Sequence, residues 1–121
     1  MHPGFRDTPQ GREYLPFPKA QIDALIPLVK GIVKRHQIRP DRILGHSDVQ
    51  PQSKEDPGPS FPWKRLADEG LIAWPDAACV AEQAAIFEAA LPDVAWFQDQ
   101  MGRLGFHVPR TGVLDATTRR V

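Results

Sequence analysis

Gly45-His46-Ser47-Asp48-Val49-Gln50-Pro51-Gln52-Ser53-Lys54-Glu55-Asp56-Pro57-Gly58-Pro59 is the stretch on which the reading of this chain turns. An apolar pair, Ile43-Leu44, leads into it. Such a run bounded by glycine predicts the end of a buried strand, with His46 delivered at its C-terminal tip. A polar loop follows, then the stiff turn Asp56-Pro57-Gly58-Pro59. Pro57 biases Asp56 towards an extended backbone, which places the carboxylate on a rigid anchor. A neutral imidazole and a carboxylate are both ordinary zinc ligands. Lys54, two residues before the acid, can set a positive charge beside whatever a metal polarises. On spacing alone a second reading stands: a strand-end histidine, a turn-forming aspartate and a solvated lysine. Two ligands do not make a zinc site.

The wording of the whole stretch narrows the choice. Gly45 to Pro59, continued by Ser60-Phe61-Pro62-Trp63, resembles the metal-binding segment of the zinc-dependent N-acetylmuramoyl-L-alanine amidases of type 2. These cell-wall enzymes share a fold with the peptidoglycan recognition proteins. The resemblance begins at His2-Pro3-Gly4-Phe5, similar to an Asn-Pro-Gly-Phe start, and reaches Leu71-Ile72-Ala73-Trp74-Pro75-Asp76. It implies zinc as cofactor, His46 as the second histidine ligand, Asp56 as the carboxylate ligand and Lys54 as the cation that stabilises the oxyanion. It also implies a first histidine ligand and a general-base glutamate on strands upstream of the Pro-Gly-Phe segment. The chain begins at Met1, beside that segment. The expectation is therefore the second half of an amidase domain, through truncation, a misplaced start or gene decay, with limited activity.

Thirteen prolines among 121 residues punctuate the chain with loops. Residues 1–18, with Pro3-Gly4, Thr8-Pro9, Gly11, Pro16 and Pro18, read as loop. Ile22, Leu25, Ile26, Val29, Ile32 and Val33 recur at helical spacing and predict a helix over 19–38. Pro27 inside it predicts a kink or a late start, at a cost on the order of 3 kcal/mol. A turn at Arg39-Pro40-Asp41-Arg42 precedes the strand 43–45. That lone strand leaves ladder groups unpaired, which predicts low stability or pairing between chains. A second helix is expected over 61–70, with Pro62 at its first position and Gly70 just past its end. Trp63 and Trp74 are expected in the core, with stacking on a sugar ring as the alternative. His2, His36 and His107 read as exposed rather than ligating.

From residue 77 the composition becomes Ala-rich. Helices are expected over 77–90 and from Asp93 to about Leu104, the latter with a stripe of Val94, Phe97, Met101 and Leu104. Asp93 and Asp115 read as N-caps. The run Leu104-Gly105-Phe106 followed by Thr111-Gly112-Val113-Leu114-Asp115-Ala116-Thr117-Thr118 resembles the small helical peptidoglycan-binding module that some type 2 amidases carry at the C-terminus. A generic helical hairpin is the alternative. The fold class is thus α/β, an incomplete amidase domain of kinked helix, short strand, loop and helix over 1–76. A truncated all-α module follows over 77–121.

Fifteen basic and fifteen acidic side chains cancel, which argues against a nucleic-acid or anionic-membrane partner held by bulk charge. No run approaches the roughly 20 apolar residues of a membrane span. Cys79, the single cysteine, can form no internal disulfide and reads as a small packed hydrophobe. By resemblance the partners are peptidoglycan or muropeptides, and the reaction is hydrolysis of the amide between N-acetylmuramic acid and L-alanine. The alternatives are a non-catalytic peptidoglycan-binding protein and an inert remnant. A wall-binding tail points to the periplasm or cell envelope, with the cytoplasm as alternative. The oligomeric state stays open.

Overall fold

The computed structural model describes residues 4–121, so His2 lies outside the described residues. Two compact units divide between Trp74 and Pro75.

In the first unit, residues expected to be loop form a hairpin. Strand β1 (Phe5–Thr8) pairs antiparallel with β2 (Gly11–Tyr14), with Phe5 opposite Tyr14 and Asp7 opposite Arg12. The turn residues Pro9 and Gln10 leave Gly11 at φ 119°, a backbone that glycine adopts at low cost. Thr8 Oγ1 donates to the Gly11 carbonyl at 2.7 Å and closes the turn. The turn signals do punctuate this segment, at Pro9 and Gly11. The strands they join were missed because their residues are mostly polar.

Helix α1 (Lys19–His36) carries the apolar stripe that its periodicity predicts, and Ile22 and Ile26 are buried. It starts at Lys19 and runs through Pro27, so the late start does not occur. Pro27 is on the exposed side, where the carbonyl it leaves without a donor can meet water. Lys34, Arg35 and His36 occupy the last turn, where cations suit the helix dipole, and Gln37 ends it in the left-handed conformation.

The expected strand over 43–45 is absent. Ile43 and Gly45 have extended dihedrals, yet among the described residues the sheet contains only β1 and β2. A β conformation becomes a strand only when a neighbour supplies the ladder. His46 instead opens a four-residue helix, α2 (His46–Val49).

Helix α3 (Trp63–Asp68) starts one residue later than the proline rule suggests, with Pro62 as the flanking cap residue. Its end follows the reading: Gly70 has φ 72°. Gly70 N–H donates to the Ala67 carbonyl at 2.9 Å and Leu71 N–H to the Leu66 carbonyl at 3.0 Å, a Schellman motif. Leu66 and Leu71, the apolar pair that accompanies this motif, are both buried. They join Ile22, Ile26 and Phe61 in the core, with Phe17, Leu25, Val29, Val33, Trp63 and Ile72 packed around it. Ion pairs Arg65–Asp23 and Lys30–Glu69 cross from α3 and its cap to α1. Exposed pairs of this kind contribute at most about 1 kcal/mol, so the apolar contacts hold the helices together. Trp63 is half-buried against the core, as expected. Trp74 is not: it is exposed, with Lys64 Nζ 5.9 Å from its ring centre.

The second unit contains α4 (Ala77–Ala89), α5 (Val94–Arg103) and α6 (Ala116–Arg120). Asp76, Asp93 and Asp115 cap them, their carboxylates accepting from the N–H groups of Cys79, Trp96 and Thr118 at 2.8–2.9 Å. Phe87, Trp96 and Phe97 meet edge to face at 5.0–5.9 Å between ring centres. The buried centre is polar, which sequence periodicity did not indicate. Gln98 is 1% exposed. Its Nε2 donates to Thr111 Oγ1, the Val113 carbonyl and Thr118 Oγ1, and its Oε1 accepts from Gly112 N–H. Leu104, expected on the apolar stripe, is exposed. Cys79 is exposed as well, so it is not the packed hydrophobe expected from its Ala-rich surroundings.

Candidate metal site

His46 and Asp56 come together at the mouth of a cleft of about 310 Å³, lined on its apolar side by Leu25, Val29, Ile43, Leu44, Phe61 and Trp63. His46 Nδ1 lies 3.4 Å from Asp56 Oδ1. The side chains are 48% and 23% exposed, so an ion from solvent can reach both.

Local chemistry sets this geometry. Asp48, three residues beyond Gly45, turns its carboxylate back to accept the Gly45 N–H at 2.6 Å. That contact is the acidic half of a capping box, and it fixes where His46 leaves the backbone. Gly45 itself is buried, and a Cβ there would stand 2.7 Å from Pro57 Cδ and 3.2 Å from Trp63 Cζ2. The loop between the two ligand candidates is closed by Ser47 N–H donating to the Asp56 carbonyl at 2.9 Å. Gln50 receives the Lys54 N–H at 3.0 Å on its carbonyl, which turns the chain back.

Asp56 titrates below the usual carboxylate range. Burial pushes its pKa up, but its own backbone N–H and the nearby His46 charge outweigh burial. The carboxylate is therefore ionised at neutral pH, the form a cation requires.

Lys54 sits in the same loop, with its side chain exposed and no hydrogen bond or ion pair to it among the described residues. Its neighbour Glu55 was not anticipated. Glu55 Oε2 accepts from Arg12 Nη1 at 3.0 Å and from Tyr14 Oη at 3.1 Å, both on β2. No local pattern could reveal this, because the partners lie more than 40 residues apart in sequence.

The donor set can be tested against zinc. Two donors each about 2.0–2.2 Å from a tetrahedral zinc stand roughly 3.3–3.5 Å apart. The His46–Asp56 separation of 3.4 Å matches that spacing. The pair fits as two members of a zinc ligand set. Among the described residues no third histidine, cysteine or acid joins them.

Comparison with known proteins agrees with the assignment of the segment. The N-acetylmuramoyl-L-alanine amidase family matches residues 4–59. Over these residues the chain is similar to the type 2 amidases. N-acetylmuramoyl-L-alanine amidase AmiD of Escherichia coli (strain K12) is 49% identical over 74 residues, which are 61% of this chain and 27% of AmiD. The 1,6-anhydro-N-acetylmuramyl-L-alanine amidase AmpD of Enterobacter cloacae is 38% identical over 57 residues, 47% of this chain and 30% of AmpD. Among solved structures, AmpDh3 of Pseudomonas aeruginosa superposes with a TM-score of 0.81 at 33% identity, covering 96% of this chain and 46% of AmpDh3. The complex of Escherichia coli AmiD with the substrate anhydro-N-acetylmuramic acid-L-Ala-D-gamma-Glu-L-Lys gives 0.73 at 35% identity, covering 97% of this chain and 44% of AmiD. The chain thus spans under a third of the curated relatives it matches and about half of these solved amidases. Its helices and short two-stranded sheet are consistent with a partial α/β domain like that of these amidases.

Proposed function

We propose that this chain is part of a zinc-dependent N-acetylmuramoyl-L-alanine amidase acting on peptidoglycan-derived muropeptides. The 3.4 Å approach of His46 Nδ1 to Asp56 Oδ1, within the amidase segment and open to solvent, is the observation that carries the reading. His46 would supply a ring nitrogen, which binds a metal in its neutral form. Asp56 supplies a carboxylate kept ionised by its surroundings. Zinc, when bound, would lower the pKa of a water molecule towards about 7 and polarise a carbonyl. A zinc centre of this kind needs a further protein ligand and a base, which His46, Asp56 and Lys54 do not supply.

Lys54 is the candidate for a charge-stabilising role, since it lies two residues before Asp56 on the same loop. As the amide carbonyl carbon becomes tetrahedral its oxygen gains negative charge. An ammonium on the same loop as Asp56 favours that state over the planar amide, a contribution of about 3–4 kcal/mol where it has been dissected elsewhere. The cleft beside the pair is lined on one side by apolar side chains, and a lower local dielectric there would strengthen such interactions. The muropeptides bound by the solved AmiD and AmpDh3 structures, an anhydromuramyl tripeptide and an anhydromuramic pentapeptide, set the substrate class to be tried. The cell envelope is the proposed compartment, since its wall is the source of such substrates.

The test is zinc content and hydrolysis on the purified chain. Elemental analysis after exposure to zinc should show uptake that the double substitution His46→Ala, Asp56→Ala removes. Release of free peptide from an anhydromuropeptide would show amidase activity. Uptake that survives the double substitution would refute the assignment of the pair.

A further inference from the structure

The hairpin has no part in the candidate ligand set, yet it is tied to it at one point. By the register of β1 and β2, Asp7 is opposite Arg12 and Phe5 is opposite Tyr14. With a period of two, these four side chains share one face of the ribbon. On that face Arg12 is held from three sides. Its guanidinium lies 4.2 Å over the Phe5 ring, Nε is 3.6 Å from Asp7 Oδ1, and Nη1 donates to Glu55 Oε2 at 3.0 Å. Tyr14 donates to the same Glu55 oxygen at 3.1 Å. Among the described residues, the side-chain hydrogen bonds from the hairpin to the 50–56 loop both end on that one oxygen.

Glu55 is one planar peptide unit from Asp56, and Asp56 is followed by Pro57. A displacement of Glu55 therefore passes to Asp56 with little slack. On the far side, the Asp56 carbonyl accepts the Ser47 N–H and Pro57 packs against Gly45. We propose that Glu55 is a positioning residue. By anchoring the loop to Arg12 and Tyr14, it sets where the Asp56 carboxylate stands relative to His46. This rests on the zinc reading above for its consequence, though not for its geometry. The Arg12 and Glu55 side chains are 41% and 63% exposed, and exposed pairs contribute little to global stability. The positional effect and the stability effect can therefore be separated by measurement.

The experiment uses the chain with zinc chloride in calorimetric titration, and the Ser47 amide in hydrogen exchange by NMR without metal. Glu55→Ala should weaken zinc binding about tenfold, as loss of groups that orient metal ligands commonly does. The same substitution should speed Ser47 amide exchange severalfold while leaving the thermal midpoint within about 3 °C. Glu55→Gln keeps an oxygen acceptor for both donors and should restore most of both properties. Unchanged Ser47 exchange in Glu55→Ala overturns the proposal, as does a loss of thermal stability with no rescue by Glu55→Gln. If the chain carrying His46→Ala and Asp56→Ala binds zinc like the parent, the zinc reading fails. The metal-free exchange rate then still decides the positioning of Asp56.

Discussion

Gly45→Ala is the substitution that most directly probes how the site is built. Gly45 has φ −78° and ψ 163°, a backbone that any residue adopts, so alanine meets no conformational penalty there. Only space opposes it. The added Cβ would stand 2.7 Å from Pro57 Cδ, 3.2 Å from Asp48 Oδ2 and 3.2 Å from Trp63 Cζ2. Ordinary carbon contacts are about 3.5–4.0 Å, so the proline ring must retreat by roughly 1 Å. The ring cannot swing away by a side-chain torsion, because it is part of the backbone. Its retreat moves Asp56 and stretches the 3.4 Å approach to His46. Overpacking of this kind costs about 1–3 kcal/mol. Zinc tolerates errors of only about 0.2 Å in its ligand distances, so most of that cost should appear in metal affinity. At about 1.4 kcal/mol per tenfold, a cost near 2 kcal/mol predicts roughly thirtyfold weaker zinc binding. The assay is zinc titration paired with thermal unfolding of the parent and variant. Parent-like affinity and midpoint in Gly45→Ala would refute the claim that this glycine is required for room.

The other expectations concern stability. Leu66→Ala removes a side chain 2% exposed at the junction of the Schellman motif and the core, and should cost about 2–5 kcal/mol in urea unfolding. Leu28→Ala, on a side chain 60% exposed, should stay within about 0.5 kcal/mol in the same titration. Gln98→Leu keeps the volume but strips four hydrogen bonds. Only Thr118 among the polar side-chain partners is buried, so a loss of about 2 kcal/mol is expected in the unfolding of the second unit. Asp76 and Asp115 titrate below the ordinary carboxylate range, each chiefly because a backbone N–H, from Cys79 and Thr118 respectively, bonds the ionised form. A depressed folded pKa gives stability that is present above the unfolded value and lost as pH falls through the folded one. Helicity of the second unit, followed by circular dichroism, should therefore hold from neutral pH to about 5 and decline below about 4. Asp76→Asn with Asp115→Asn, which keeps capping oxygens without charge, should flatten that decline.

Much of the fold could be read locally. The α1 stripe, the caps Asp93 and Asp115, and the stop at Gly70 depend on residues within a turn or two of each other, so neighbouring side chains determine them. Readings failed where the partner is remote. Ile43 and Gly45 take extended dihedrals and still, among the described residues, form no strand, because pairing is a property of two segments. Cys79, Leu104 and Trp74 are apolar by type and exposed in place, since burial depends on what the rest of the chain brings to them.

The candidate site divides along the same line. Sequence alone singled out His46, Asp56 and Lys54 as residue types capable of metal and oxyanion chemistry, and their wording carried the family. Tertiary structure decided that His46 opens a short helix and that its Nδ1 meets Asp56 at a zinc-compatible separation. It also decided that a hairpin more than 40 residues away holds the loop through Glu55. Chemical capacity belongs to a side chain and is written in one letter. Distance between side chains depends on the path of the whole backbone, which no single stretch contains.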